Sequence, residues 1–178
     1  MLDHIAVRSD ARAHDAHADY TSSYRANAAC ARELARLHEE IATSLATARV
    51  PADAAGADEP VVRRSPARCL VQLGPVALTV AWLQRAQGTV ADGELLVVVW
   101  RGEVAVRTPQ GFERAHQRSG ASSATALWES VLVVSARSET EWAWVPAGAR
   151  GDALSSAALA HHCVERLRAA HVACTRER

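Results

Sequence analysis

Leu95-Leu96-Val97-Val98-Val99-Trp100 is the stretch that decides the fold. It is the longest apolar run in the chain, yet far shorter than the roughly 20 residues a helix needs to cross a bilayer. An apolar run of this length suits a strand buried on both faces. It therefore reads as the central strand of a sheet, with a helix or a partner covering what would otherwise be the solvent side.

Working outward toward the N-terminus, Val76, Leu78, Val80 and Trp82 alternate with Ala77, Thr79 and Ala81, the period-two pattern of a half-buried strand. Gly74-Pro75 turns the chain just before it. Toward the C-terminus, Arg101-Gly102 predicts a tight hairpin with glycine at positive φ, after which Val104 and Val106 resume alternation. Thr108-Pro109-Gln110-Gly111 is a further turn, and residues 112–122 form a polar loop. A strand over Ala126–Ala136 then pairs with Glu141–Val145 across Ser138-Glu139-Thr140, and Pro146 and Gly148 stop it.

Helical spacing flanks this strand region on both sides. Cys30, Leu34, Leu37, Ile41 and Ala48 recur at heptad-like intervals, with Leu45 beside them, after an N-cap at Ser22 or Ser23. That helix should end near Arg49, and Arg32, Glu33, Arg36, Glu39 and Glu40 mark its solvated face, with Arg36 and Glu40 one turn apart. A last helix, capped by Asp152 or Ser155 and running to about His171, carries Leu159, Ala160, Cys163, Leu167, Ala170 and Cys174 as its apolar stripe.

The expected organisation is a flexible tail over 1–20, an amphipathic helix over 21–49, a Pro- and Gly-bearing linker over 50–67, and a sheet domain with its helix over 68–174. The fold class is α+β, an antiparallel meander of five or six strands with the C-terminal helix packed on the sheet. The alternative with the same strand count is a small barrel capped by the last helix, as in pleckstrin-homology-like domains.

Composition sets bounds on function. The 178 residues carry twenty basic and twenty acidic side chains, so no global field draws the chain toward nucleic acid or an anionic membrane. The small basic runs Arg63, Arg64, Arg68 and Arg107, Arg114, Arg118 are not interleaved with aromatics. All the basic residues are arginine. Absence of lysine excludes Schiff-base nucleophiles, a pyridoxal-phosphate anchor and lysine-based phosphate loops. Met1-Leu2-Asp3-His4-Ile5 lacks the basic start and apolar run of a signal peptide, and Cys30, Cys69, Cys163 and Cys174 form no close pair. A cytoplasmic, reducing location fits that pattern.

Candidate chemistry is sparse. His161, His162, Cys163, His171 and Cys174 are the densest set of potential zinc donors, but helical geometry spreads them over several faces, and His161 and Glu165 read as a one-turn surface pair. His14 and His17 with Asp15 and Asp19 sit in the tail, and His116 with Glu113 and Glu129 lacks a nucleophile elbow beside it. No catalytic residue, metal ligand or cofactor is assigned. The unusual positive feature is five tryptophans, Trp82, Trp100, Trp128, Trp142 and Trp144, all on expected strands in a chain with one phenylalanine.

The leading expectation is a non-catalytic protein-interaction or self-association module, a homodimer included. It acts through the Leu34, Leu37, Ile41 and Leu45 seam of the first helix and the aromatic surface of Trp142 and Trp144. The rival expectation is a small-molecule binder or enzyme, with a pocket between sheet and last helix lined by Trp100, Trp128, Trp142 or Trp144.

Overall fold

In the computed structural model, which describes residues 19–47, 59–104, 124–148 and 152–177, six strands hydrogen-bond in strict chain order. They are β1 (Val61–Ser65), β2 (Arg68–Leu73), β3 (Val76–Leu83), β4 (Glu94–Arg101), β5 (Thr125–Ala136) and β6 (Trp142–Pro146). Every neighbouring pair is antiparallel. Helix α1 (Tyr24–Thr47) precedes the sheet and α2 (Ser156–Arg176) follows it. The α+β meander expected from the sequence is thus present. The sheet is open, without the β1–β6 pairing that the barrel alternative requires.

Register explains why both periods were readable. Cys69, Val71 and Leu73 of β2 lie opposite Val80, Leu78 and Val76 of β3. Those β3 residues in turn lie beside Val97, Val99 and Arg101 of β4. Leu95 sits beside Leu132 of β5, and Val134 beside Trp144 of β6. Side chains of one parity therefore form one continuous surface, and both helices pack on it. Leu34, Leu37, Ile41 and Leu45 of α1 join Leu159, Cys163, Val164 and Leu167 of α2 and these strand residues in a single core.

The helix ends follow local chemistry. Ser23 Oγ accepts from Ala26 N at 3.2 Å at the start of α1, and Ser155 Oγ accepts from Ala158 N at 3.2 Å at the start of α2. Ser155, not Asp152, is therefore the cap, and α2 runs on to Arg176, past the expected end near His171. Arg168 donates to the Ser44 carbonyl at 2.9 Å, tying α2 to the last turn of α1.

Three local expectations are corrected. Val61–Ser65, placed in the linker, is the edge strand β1, because Val62 and Arg64 find partners in Val71 and Cys69 and Val62 packs against the core. Arg36 approaches Glu33 at 3.9 Å, one turn back, where the sequence pairs it with Glu40. After Gly102, whose φ is +103°, Val104 is not in a strand, and β4 pairs instead with β5. Val106, the Thr108–Gly111 turn, the loop over 112–122 and the tail before Asp19 lie outside the described residues.

A candidate interaction surface

The helix-bearing face is closed by aromatic and polar links. Trp144 is fully buried, and its ring meets Trp82 edge-on at 6.0 Å and Trp142 at 5.9 Å. Its indole N–H donates to Ser156 Oγ at 3.0 Å, and that hydroxyl donates to Glu33 Oε2 at 2.6 Å. Strand β6, the first turn of α2 and helix α1 are joined by this two-bond chain. Trp82 lies over Gly93 and donates to Gln84 Oε1 at 3.1 Å. Trp128 is flanked on α2 by His162 at 5.6 Å and by the Arg166 guanidinium at 5.4 Å.

Each residue expected to contact a partner falls on this face. Leu34, Leu37, Ile41, Leu45 and Trp144 are buried in the core, and Trp142 packs against it. The seam of α1 meets α2 and the sheet of the same chain, so its apolarity has an internal explanation. Leu159, Ala160, Cys163, Val164 and Leu167 fill the space between α2 and the strands.

Potential chemistry is dispersed. The four cysteines are buried free thiols, and desolvation pushes Cys30 and Cys163 up to about 12 and Cys69 up to about 11. Thiols held that high stay protonated and unreactive near neutral pH. His161 Nε2 lies 3.2 Å from Glu165 Oε1, forming the expected one-turn pair, while His162 turns to Trp128. Among the described residues no group of three or more His, Cys, Asp or Glu side chains is placed to hold a metal ion. Glu129 is exposed on β5, and Glu113, His116, His14, Asp15 and His17 are outside the described residues.

Three buried polar atoms lack a partner among the described residues: Tyr20 Oη, His38 Nε2 and Trp142 Nε1. Burial, then the Glu139 carboxylate, raises the Tyr20 hydroxyl above its ordinary value. Burial, then the Arg64 guanidinium, holds His38 below its ordinary value.

The opposite face carries neither helix. Its cross-strand rows follow from the register. One row reads Val61, Gln72, Ala77, Trp100, Ala126. The next reads Arg63, Leu70, Thr79, Val98, Glu129. A third runs Ser65, Arg68, Ala81, Leu96, Val131. Beyond it Leu83 neighbours Glu94, and Val133 neighbours Val145. The interior of this face is apolar, and Leu70, Ala77, Ala81 and Val98 are buried there although neither helix lies over them. Trp100 is laid across it by an indole N–H bond to Thr79 Oγ1 at 3.1 Å. Large apolar side chains reach solvent around it, with Val61 53%, Leu83 47% and Leu127 42% exposed. Leu127 is the extra residue of a bulge, since Val99 pairs with Trp128 and Trp100 with Ala126.

Of the pocket tryptophans, only Trp100 is on this face. The signal that marks the surface was present in the central run, since Leu96, Val98 and Trp100 share the parity that the helices leave uncovered. Among the described residues no helix is long and apolar enough to cross a membrane. No family model, curated protein or solved structure matches the chain.

Proposed function

We propose that the protein is a non-catalytic interaction module that docks a protein through the helix-free face of its sheet. One observation carries the reading. The central strands are apolar on both sides, and both helices are spent on the same side. A six-stranded face on which Leu96, Trp100, Val131, Val133 and Val145 are half-buried, with Val98 packed beneath them, is the kind of apolar patch that marks a contact surface. The dispersal of histidines and the high thiol pKa values support a binding role over a catalytic one.

The test compares complexes purified from the native cell with the tagged chain and with its Val131→Asp variant. Val131 is half-buried on the uncovered face, so the substitution places a charge on that surface and leaves the helix side intact. Complexes lost in the variant support the reading. An identical set of complexes in both preparations sinks it.

A further inference from the structure

We infer that the occupant of the helix-free face is a basic amphipathic helix of a partner protein, laid along β4 and β5 with a cationic side chain on each flank. This deepens the proposed function and rests on it.

The contact uses only part of the face. Leu70, Ala77, Ala81 and Val98 are buried already and offer nothing to a partner. Leu96 on β4, Val131 and Val133 on β5 and Val145 on β6 are half-buried and remain within reach. They lie in register, since Leu96 pairs with Val131 and Val133 with Val145. The strip they form crosses from β4 to β6, about 10 Å at a strand spacing of about 4.8 Å. That is the width of one helix and too narrow for a second sheet. Helices α1 and α2 form the layer on the other side of the sheet, so a helix here completes a three-layer arrangement.

Two carboxylates set the chemistry of the occupant. Glu94 opens β4 and Glu129 lies beside Val98, and both are exposed on this face. Leu96 and Val131 stand between them along the strands. The offset of Val98 from Glu94 along β4 separates the two carboxylates by about 14 Å, at about 3.4 Å per residue. Neither Glu94 nor Glu129 forms an ion pair or a side-chain hydrogen bond among the described residues. Of the strand arginines, Arg63 and Arg68 share this face, but they stand on β1 and β2. Arg68 is about 12 Å from Glu94 and Arg63 about 19 Å from Glu129 by strand spacing and rise, both outside a Debye length of about 8 Å. The acidic end of the face is therefore left for a cation from outside the sheet. Nucleic acid or an anionic bilayer would bring phosphate against the same carboxylates and be repelled.

Helical geometry matches the two positions. A helix rising about 1.5 Å per residue covers about 14 Å in about nine residues. Nine residues make about two and a half turns, so side chains at that spacing emerge on opposite flanks of the helix. Glu94 and Glu129 are on opposite flanks too, one on β4 and the other on β5. A helix with its axis between these strands sets one cation over each carboxylate, while its apolar stripe covers Leu96, Val131 and Val133.

The test is calorimetric titration of the full chain with two synthetic amphipathic peptides of about 18 residues, one with arginines about nine positions apart and its twin with glutamates in their place. The arginine peptide is expected to bind about 10-fold more tightly than the twin, with the difference shrinking as salt rises from about 0.05 to 0.5 M. The Glu94→Arg/Glu129→Arg double variant, its fold checked by far-UV circular dichroism, should reverse the order and prefer the glutamate peptide. Equal affinities for the two peptides, binding of neither, or an order unchanged in the double variant overturns the inference. In complexes purified from the native cell, loss with Val131→Asp but not with the double variant overturns the basic helix and leaves the interaction reading standing. Complexes insensitive to Val131→Asp sink that reading itself.

Discussion

At the scale of single residues, the fold contains one imidazole that cannot easily charge. His38 is buried, its Nε2 has no partner among the described residues, and burial and then Arg64 hold its pKa below the ordinary 6.5. Well above pH 6.5 the side chain is neutral in both folded and unfolded chains, so its ionisation does not alter stability there. As the pH falls below that value the unfolded chain takes up a proton that the folded chain resists, and stability falls until the folded pKa is passed. Urea titrations between about pH 7.5 and 5 should therefore show a steeper acid-side loss for the wild type than for His38→Leu, at about 1.4 kcal/mol per unit of pKa depression. Equal slopes would remove the effect. Gly93 sets a steric limit of a different kind. A Cβ there would lie 2.1 Å from Cζ2 of Trp82, whose ring also meets Trp144. Gly93→Ala should cost about 1–3 kcal/mol by overpacking, read from the urea midpoint. A midpoint unchanged from the wild type would mean that the ring moves freely.

At the scale of elements, the joint between α1, α2 and β6 rests on Ser156. Its hydroxyl accepts from the Trp144 indole and donates to Glu33, with Ser156 buried between them. Ser156→Ala leaves the indole N–H buried without an acceptor and should destabilise the protein by about 1–3 kcal/mol. Glu33→Gln retains an amide oxygen to accept from Ser156 and should cost less. Equal losses for the two variants in chemical denaturation would show that the Glu33 charge, not the hydrogen-bond chain, holds the joint. How much of these elements was legible depends on where their instructions reside. Strands β3 and β4 and both helices carry their period in their own residues, so they were readable. Strand β1 was not, because Pro60, Arg63, Arg64 and Pro66 have the composition of a linker and its pairing with β2 supplies the strand. The seam of Leu34, Leu37, Ile41 and Leu45 was read as a surface for another molecule, because periodicity carries no label for its partner. That partner is α2, a neighbour from the far end of the chain. The uncovered face was half legible: Leu96, Val98 and Trp100 showed that one side of β4 needed a cover, while the side chosen by the helices was a nonlocal outcome.

At the scale of the whole molecule, the order β1 to β6 predicts a gradient of local stability. Strands β3 and β4 are paired on both sides and packed under α2, so their amides open only with the global transition. Strand β1 is paired on one side, short and mostly exposed, and should open first. Hydrogen exchange followed by mass spectrometry should find residues 76–83 and 94–101 slowest and residues 61–65 fastest among the strands. The same measurement distinguishes two ways of covering the molecule. A partner seated on the helix-free face covers half-buried side chains such as Trp100, Val131 and Val133 but adds no backbone bonds to the outer edge of β1, so 61–65 stays fast when it binds. Edge-to-edge pairing would bond that backbone to a neighbour and slow 61–65 selectively. Protection confined to β1 at high concentration would therefore assign the contact to the edge and not to the apolar face. Fast exchange there in a purified complex follows from a partner seated on the helix-free face, which leaves the β1 edge open to water.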